Sequence, residues 1–209
     1  MDKQEIQQSK DTEQLILEAA VKEFSTKGFD GARTSTIAAN AGVTHAMLHY
    51  YFRTKEKLFE RIFKDKIQYI IKMVLSPMVE SEGSIKERIC KGIEAHFKFL
   101  LVNKELPVFF ITTINSRPES YREAISELSA SANDRIKALQ GALDLAHESG
   151  EISKVKADAL IGDIVSLNVF PFLAYPLLMA ATGYCEEEYE AYMEMRLKEN
   201  VEIIMKRIS

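Results

Sequence analysis

Thr34-Ser35-Thr36-Ile37-Ala38-Ala39-Asn40-Ala41-Gly42-Val43-Thr44-His45-Ala46-Met47-Leu48-His49-Tyr50-Tyr51-Phe52 is the stretch on which the fold turns. Thr34 is a ready N-cap for a short helix ending near Ala41. Gly42 supplies a turn, because glycine alone adopts a left-handed backbone without steric penalty. Thr44 opens another short helix reaching about Tyr51. Ala38 is small enough for two helices to come close, and Val43 and Leu48 are the apolar residues such a contact buries. These are the physical requirements of a helix-turn-helix, whose second helix keeps one face free for a DNA major groove.

Working outward, apolar residues recur every three or four positions on both sides of this motif. A first helix is expected over about Thr12–Thr26, through Leu15, Ile16, Ala19, Ala20 and Phe24, and Gly28 stops it. Thr54 caps a fourth helix from Lys55 to about Leu75, with Leu58, Phe59, Ile62, Ile67 and Ile70 on its apolar side. Ser76-Pro77 to Ser84 reads as a junction. A fifth helix follows through Ile85, Ile89, Ile93, Phe97 and Leu100, and a short sixth opens at Pro107 and ends before Arg117-Pro118. The seventh covers about Glu119–Glu148, the eighth Ala157–Ala181 and the ninth Glu186–Ile208. The expected fold is therefore all-α with about nine helices. Residues 1–54 would form a three-helix DNA-binding domain, with its motif at about 34–53. Helix 4 would join it to a larger helical domain, 55–209.

Composition agrees. The 209 residues are 46% hydrophobic, with only nine glycines and five prolines, a balance that suits long helices rather than strands. Net charge is −4, unlike a protein that coats nucleic acid without specificity. Up to Lys64, ten cations face nine anions, and beyond it seventeen face twenty-two. Any DNA contact must come from a local basic rim in the first third. Met1–Asp11 is polar and does not resemble a secretory signal, so the expected location is the cytoplasm. Cys90 and Cys185 show neither disulfide nor zinc spacing, and no cofactor or metal is expected.

On the motif's second helix, His45, Ala46 and His49 fall on the free face, where base edges would be read. Phosphate contacts would come from Thr34, Ser35, Thr44, Tyr50 and Lys55. His45 and His49 also have the spacing of a two-imidazole metal site, but no nearby carboxylate or cysteine completes one, which favours DNA.

The segment FSTKGFDGARTSTIAANAGVTHAMLHYYFRTKEKLF, Phe24–Phe59, closely resembles the TetR family of regulators. Gly42-Val43-Thr44, Tyr50-Tyr51-Phe52 and Lys55-Glu56-Lys57-Leu58 carry the resemblance most strongly, and it covers about the first 65 residues. It implies that Thr34, Ser35, Thr44, His45, Ala46, Met47, His49, Tyr50 and Lys55 sit where family members touch DNA. Two positions depart from the pattern: Ala46 replaces the usual glycine, and His49 the usual tyrosine. The resemblance further implies a homodimer, paired through helices 8 and 9, that binds a near-palindromic double-stranded operator. It also implies that 55–209 is the ligand-binding and dimerisation domain; repression is the family default, with release by a small-molecule effector.

The sequence adds two observations on the second domain. Its eighth helix is apolar on nearly every side and must be covered. Phe97, Phe109, Phe110, Asn115, Tyr121, Asn168, Phe172 and Tyr175 are candidates to line a pocket for an apolar or aromatic effector. Leu167–Tyr184 is an uncharged stretch of membrane-span length, but Asn168, Pro171 and Pro176 interrupt it, and a buried, kinked helix explains it better. An enzyme is disfavoured, since no phosphate loop, HExxH, GxSxG or Cys/His cluster occurs. A DNA-binding architectural protein without an effector stays open as an alternative, although the acidic C-terminal part lacks the long basic face it needs.

Overall fold

The computed structural model describes residues 3–116 and 122–209, with backbone alone at 3–6, 9, 112–116 and 122–131. Ten helices occur among the described residues: α1 (Lys3–Gly31), α2 (Thr34–Asn40), α3 (His45–Phe52), α4 (Lys55–Glu80), α5 (Ile85–Val102), α6 (Leu106–Ser116), α7 (Arg122–Glu148), α8 (Ala157–Leu173), α9 (Tyr175–Thr182) and α10 (Glu186–Ile208). They divide into two compact units, Met1–Ile67 with Val108–Ser126 and Gln68–Pro107 with Glu127–Ser209.

In the first unit, α2 packs on α1 and α3. Ile16, Ala20, Phe24, Ile37, Ala38, Leu48, Phe52, Leu58 and Phe59 are buried, which matches the apolar periodicity. Phe24, Phe29 and Phe59 form a ring cluster with edge-on contacts at 4.7 and 5.1 Å, a geometry that suits the ring quadrupoles. Helix α1 starts earlier than expected and ends later, and Gly28, at φ 66° and ψ 177°, interrupts it near the expected stop.

In the second unit, α5, α8 and α10 pack against one another around Ile89, Ile93, Leu160, Ile164, Ile204 and Ile208. The expected eighth helix is two helices. Helix α8 ends at Leu173, and α9 starts after a 60° bend, with Pro176 in its first turn, where a missing N–H costs nothing. Pro171, by contrast, lies within α8. Its missing N–H frees the carbonyl of Leu167, and the Asn200 side chain on α10 donates to that oxygen at 3.1 Å. Among the described residues no single helix is long and apolar enough to cross a membrane; α8 and α9 meet the criterion only as a bent pair.

The expected junction at Ser76 is also corrected, because α4 continues through Pro77 to Glu80. Its end is held from α5, where the Arg88 guanidinium donates to the carbonyls of Met78 and Val79, and from α7, where Arg135 meets Glu80 at 2.7 Å. Gly92 lets α4 and α5 approach closely: a Cβ there would lie 2.9 Å from the Val74 carbonyl oxygen.

Candidate nucleic-acid interface

Helix α2 starts at Thr34, with Arg33 rather than Thr34 in the extended N-cap position. The reason lies on α1, where the buried Glu23 carboxylate accepts the Arg33 N–H at 3.2 Å and pairs with Lys27 at 2.9 Å. Burial pushes this carboxyl up, but the Lys27 and Arg33 contacts outweigh it and hold Glu23 below the usual carboxylate range. After α2, Gly42 takes φ 69°, and the Val43 N–H returns to the Ala38 carbonyl at 3.0 Å. Thr44 caps α3 by accepting the Met47 N–H at 3.2 Å.

Leu48 and Phe52 then point into the core, leaving His45, Ala46, Met47, His49 and Tyr50 exposed, Tyr50 at 78%. The starts of α2 and α3 are tied together by a hydrogen bond between Thr34 Oγ1 and His45 Nε2 at 3.0 Å. Lys55 Nζ sits 4.6 Å from the centre of the Phe29 ring and donates to the Asp30 carbonyl at 3.4 Å, so its stem is anchored against the first unit.

These elements frame an open groove of about 420 Å³ lined by Ala32, Arg33, Thr34, Ser35, His45, Leu48, His49, Arg53, Thr54 and Lys55. Of the predicted DNA-contacting residues, it gathers Thr34, Ser35, His45, His49 and Lys55. Thr44, Ala46, Met47 and Tyr50 are exposed on α3 or at its cap but do not line it. The lining has no carboxylate and three cations, and it combines hydroxyl donors with imidazoles. That chemistry suits an anionic backbone beside base edges. Arg33 and Arg53 are not among the residues expected from the sequence; their place at the two ends of the motif, within the basic first third of the chain, was the signal. Among the described residues no three His, Cys, Asp or Glu side chains gather as a metal site.

The candidate pocket residues divide between the units. Phe109 and Phe110 belong to the first, where Phe109 meets Phe59 at 5.2 Å and Phe110 meets Phe63 at 5.5 Å. Phe97, Asn168, Phe172 and Tyr175 belong to the second. There Phe97 and Phe172 lie 5.6 Å apart, and Tyr175 packs edge-on against Tyr189 at 4.5 Å. Tyr121 and the side chain of Asn115 lie outside the described residues.

Asn168 is fully buried and engaged on every side. Its amide nitrogen donates to the Ile93 carbonyl at 3.0 Å and meets His96 Nδ1 at 3.3 Å. Its oxygen accepts from Asn200 at 3.0 Å, and Asn200 in turn accepts from Arg196 at 3.0 Å. Since the Asn168 amide donates to Nδ1, the proton of a neutral His96 sits on Nε2. Burial pushes His96 down to about 4, which keeps it neutral in this cluster.

Residues 16–62 match the family model described as "Bacterial regulatory proteins, tetR family". The chain is 27% identical over 140 residues to the fatty acid metabolism regulator protein of Bacillus subtilis, covering 66% of this chain and 70% of that one. A TetR family transcription regulator from Marinobacter aquaeolei superposes with TM-score 0.62 at 22% identity, over 92% of this chain and 96% of the other. The Bacillus subtilis transcriptional regulator FadR, solved in complex with stearoyl-CoA, superposes with TM-score 0.63 at 22% identity, over 90% and 97%. The two superpositions establish a shared fold, and the residues that line the groove lie within the segment matched by the family model. Residues 16–62 of this chain carry a DNA-binding domain of the TetR family, and the chain as a whole has the fold of TetR-family transcription regulators.

Proposed function

We propose that this regulator is a repressor that binds a near-palindromic operator as a homodimer and is released by a small apolar effector. The observation that carries the reading is the groove at the start of α2 and α3. Its hydroxyls, imidazoles and cations lie next to the free face of α3, with no carboxylate among them. In this reading His45, Ala46, Met47 and His49 meet base edges, while Thr34, Ser35, Thr44, Tyr50 and Lys55 hold phosphates. Residues 1–54 read DNA, and 55–209 bind the effector and the second subunit.

The dimer forms through α8, α9 and α10, which correspond to the helices expected at 157–181 and 186–208. Exposed apolar side chains on these helices support it: Phe170 at 64%, Leu177 at 70%, Met195 at 46% and Ile203 at 44%. A fatty-acyl compound is the effector class favoured by the relatives, one named for fatty acid metabolism and one solved with stearoyl-CoA. The effector acts through differential affinity for two dispositions of the reading heads, with α4, which contributes to both units, as the carrier. The protein works in the cytoplasm with its DNA.

The test is a selection of genomic fragments on the purified chain, followed by footprinting. The expected footprint is a near-palindrome with half-sites about 34–36 Å apart, lost when long-chain acyl-CoA is added. Enrichment of no common sequence overturns the operator. A footprint indifferent to acyl-CoA and to a broad apolar screen overturns the effector.

A further inference from the structure

Arg53 stands where α3 stops and α4 is about to begin, and its backbone is unusual. Among the described residues it is the sole non-glycine residue with positive φ, at φ 53° and ψ −55°. The Thr54 N–H donates to the Phe52 carbonyl across it, so the three residues form the rarer, strained kind of γ-turn. A Cβ is disfavoured in this region, and glycine would adopt it at lower cost. Strain of this kind points to a use for the side chain that imposes it.

The Arg53 side chain is exposed and borders two depressions. One is the groove it shares with Thr34, Ser35, His49 and Lys55. The other, about 360 Å³, is formed with Glu13, Tyr51, Phe52, Lys57 and Arg61. The carboxylate in the second depression, Glu13, is already paired with Arg61 at 3.0 Å. Among the described residues, none takes the Arg53 guanidinium in an ion pair or hydrogen bond.

We propose that Arg53 is a further phosphate-contacting residue of this regulator, aimed at the DNA backbone by the strained turn that closes α3. A guanidinium offers the paired donors that a phosphate accepts. The inference rests on the DNA-binding reading of the groove and extends it to the α3–α4 turn.

Two full-length variants separate phosphate contact from a role in closing the helix. Binding is read by fluorescence anisotropy on two duplexes of equal length, one from immediately upstream of the chain's own gene and one of mixed sequence, across a salt series. Arg53→Gly relieves the turn and should raise Tm by about 2–4 °C. It should also weaken binding to both duplexes about tenfold and lower the salt slope by roughly 1 per subunit. Arg53→Gln keeps the Cβ, so Tm should stay unchanged while affinity and slope fall equally. Unchanged affinity and slope in Arg53→Gln overturn the proposal and leave Arg53 a helix-closing residue. Failure of the wild-type chain to bind either duplex at low salt is a different result: it overturns the DNA-binding reading, and the proposal with it.

Discussion

The two units place their polar groups in opposite ways. In the first, hydroxyls, imidazoles and cations line an open groove, and the buried charge of Glu23 accepts the N–H of Arg33 where α2 starts. In the second, His96, Asn168 and Asn200 are buried and joined in a single hydrogen-bonded chain, while Phe170 and Leu177 face outward. A surface that reads another polymer needs polar groups free to change partners. A helix pair whose register must not slip gains more from amides satisfied on the inside. The exposed apolar residues of the second unit then require a cover of their own, which the proposed second subunit supplies.

The sharpest way to break this contrast is to charge the outward apolar face. Phe170→Glu with Leu177→Glu should turn a dimer into a monomer in sedimentation, with melting of the subunit little changed because both residues are exposed. Operator affinity should fall at least about a hundredfold through lost bivalency. A double variant that stays dimeric would move the interface elsewhere.

Asn168→Leu tests the interior. It leaves the Asn200 amide and His96 Nδ1 without their partner and should cost about 4 kcal/mol in denaturant unfolding. A loss under about 1 kcal/mol would mean that the cluster does not hold α5, α8 and α10 together.

Acid should then reach the two units at different pH. The folded state holds His96 at about 4, below the ordinary imidazole value, so the unfolded chain takes up a proton first. Stability is complete above about 6.5 and falls as pH drops toward about 4, by about 3 kcal/mol in all. His96→Gln should flatten this slope; an unaltered slope would assign it to other groups. Glu23 has the same sign at lower pH: its carboxylate is held below the usual range, so its contribution is present above the ordinary carboxylate value and is lost as pH falls below it. Glu23→Gln is the smallest effect, about 1 kcal/mol at neutral pH, and should shrink further in acid. A constant difference down to pH 3 would contradict this.

The motif was legible because its determinants are local. Gly42, Ala38, Thr44 and Leu48 act within one turn of their neighbours, and the Gly42 turn, the Thr44 cap and the buried Leu48 occur where the spacing put them, whereas the cap of α2 falls on Arg33 rather than Thr34 and Val43 is only half-buried. Elsewhere the deciding partners were distant. Pro171 and Pro176 look alike in sequence, yet only the second stands at a helix break, and the carbonyl that Pro171 frees is taken by Asn200, 33 positions away along the chain. Pro77 suggested a junction, but Arg88 and Arg135 secure the helix beyond it. The groove was half legible: five of its members followed from the motif, whereas Arg33 and Arg53 became visible only when the turns at either end brought them to its rim.

The central claim is that the exposed polar face of the first unit reads a specific DNA sequence. The most direct test is fluorescence-anisotropy binding of the intact protein to the region upstream of its own gene and to a scrambled duplex of equal length, at near-physiological salt. Saturation at one dimer per site, at least about a thousandfold tighter than on the scrambled duplex, is the predicted result. Equal and weak binding to both, persisting across every fragment of a genome-wide selection, would contradict it.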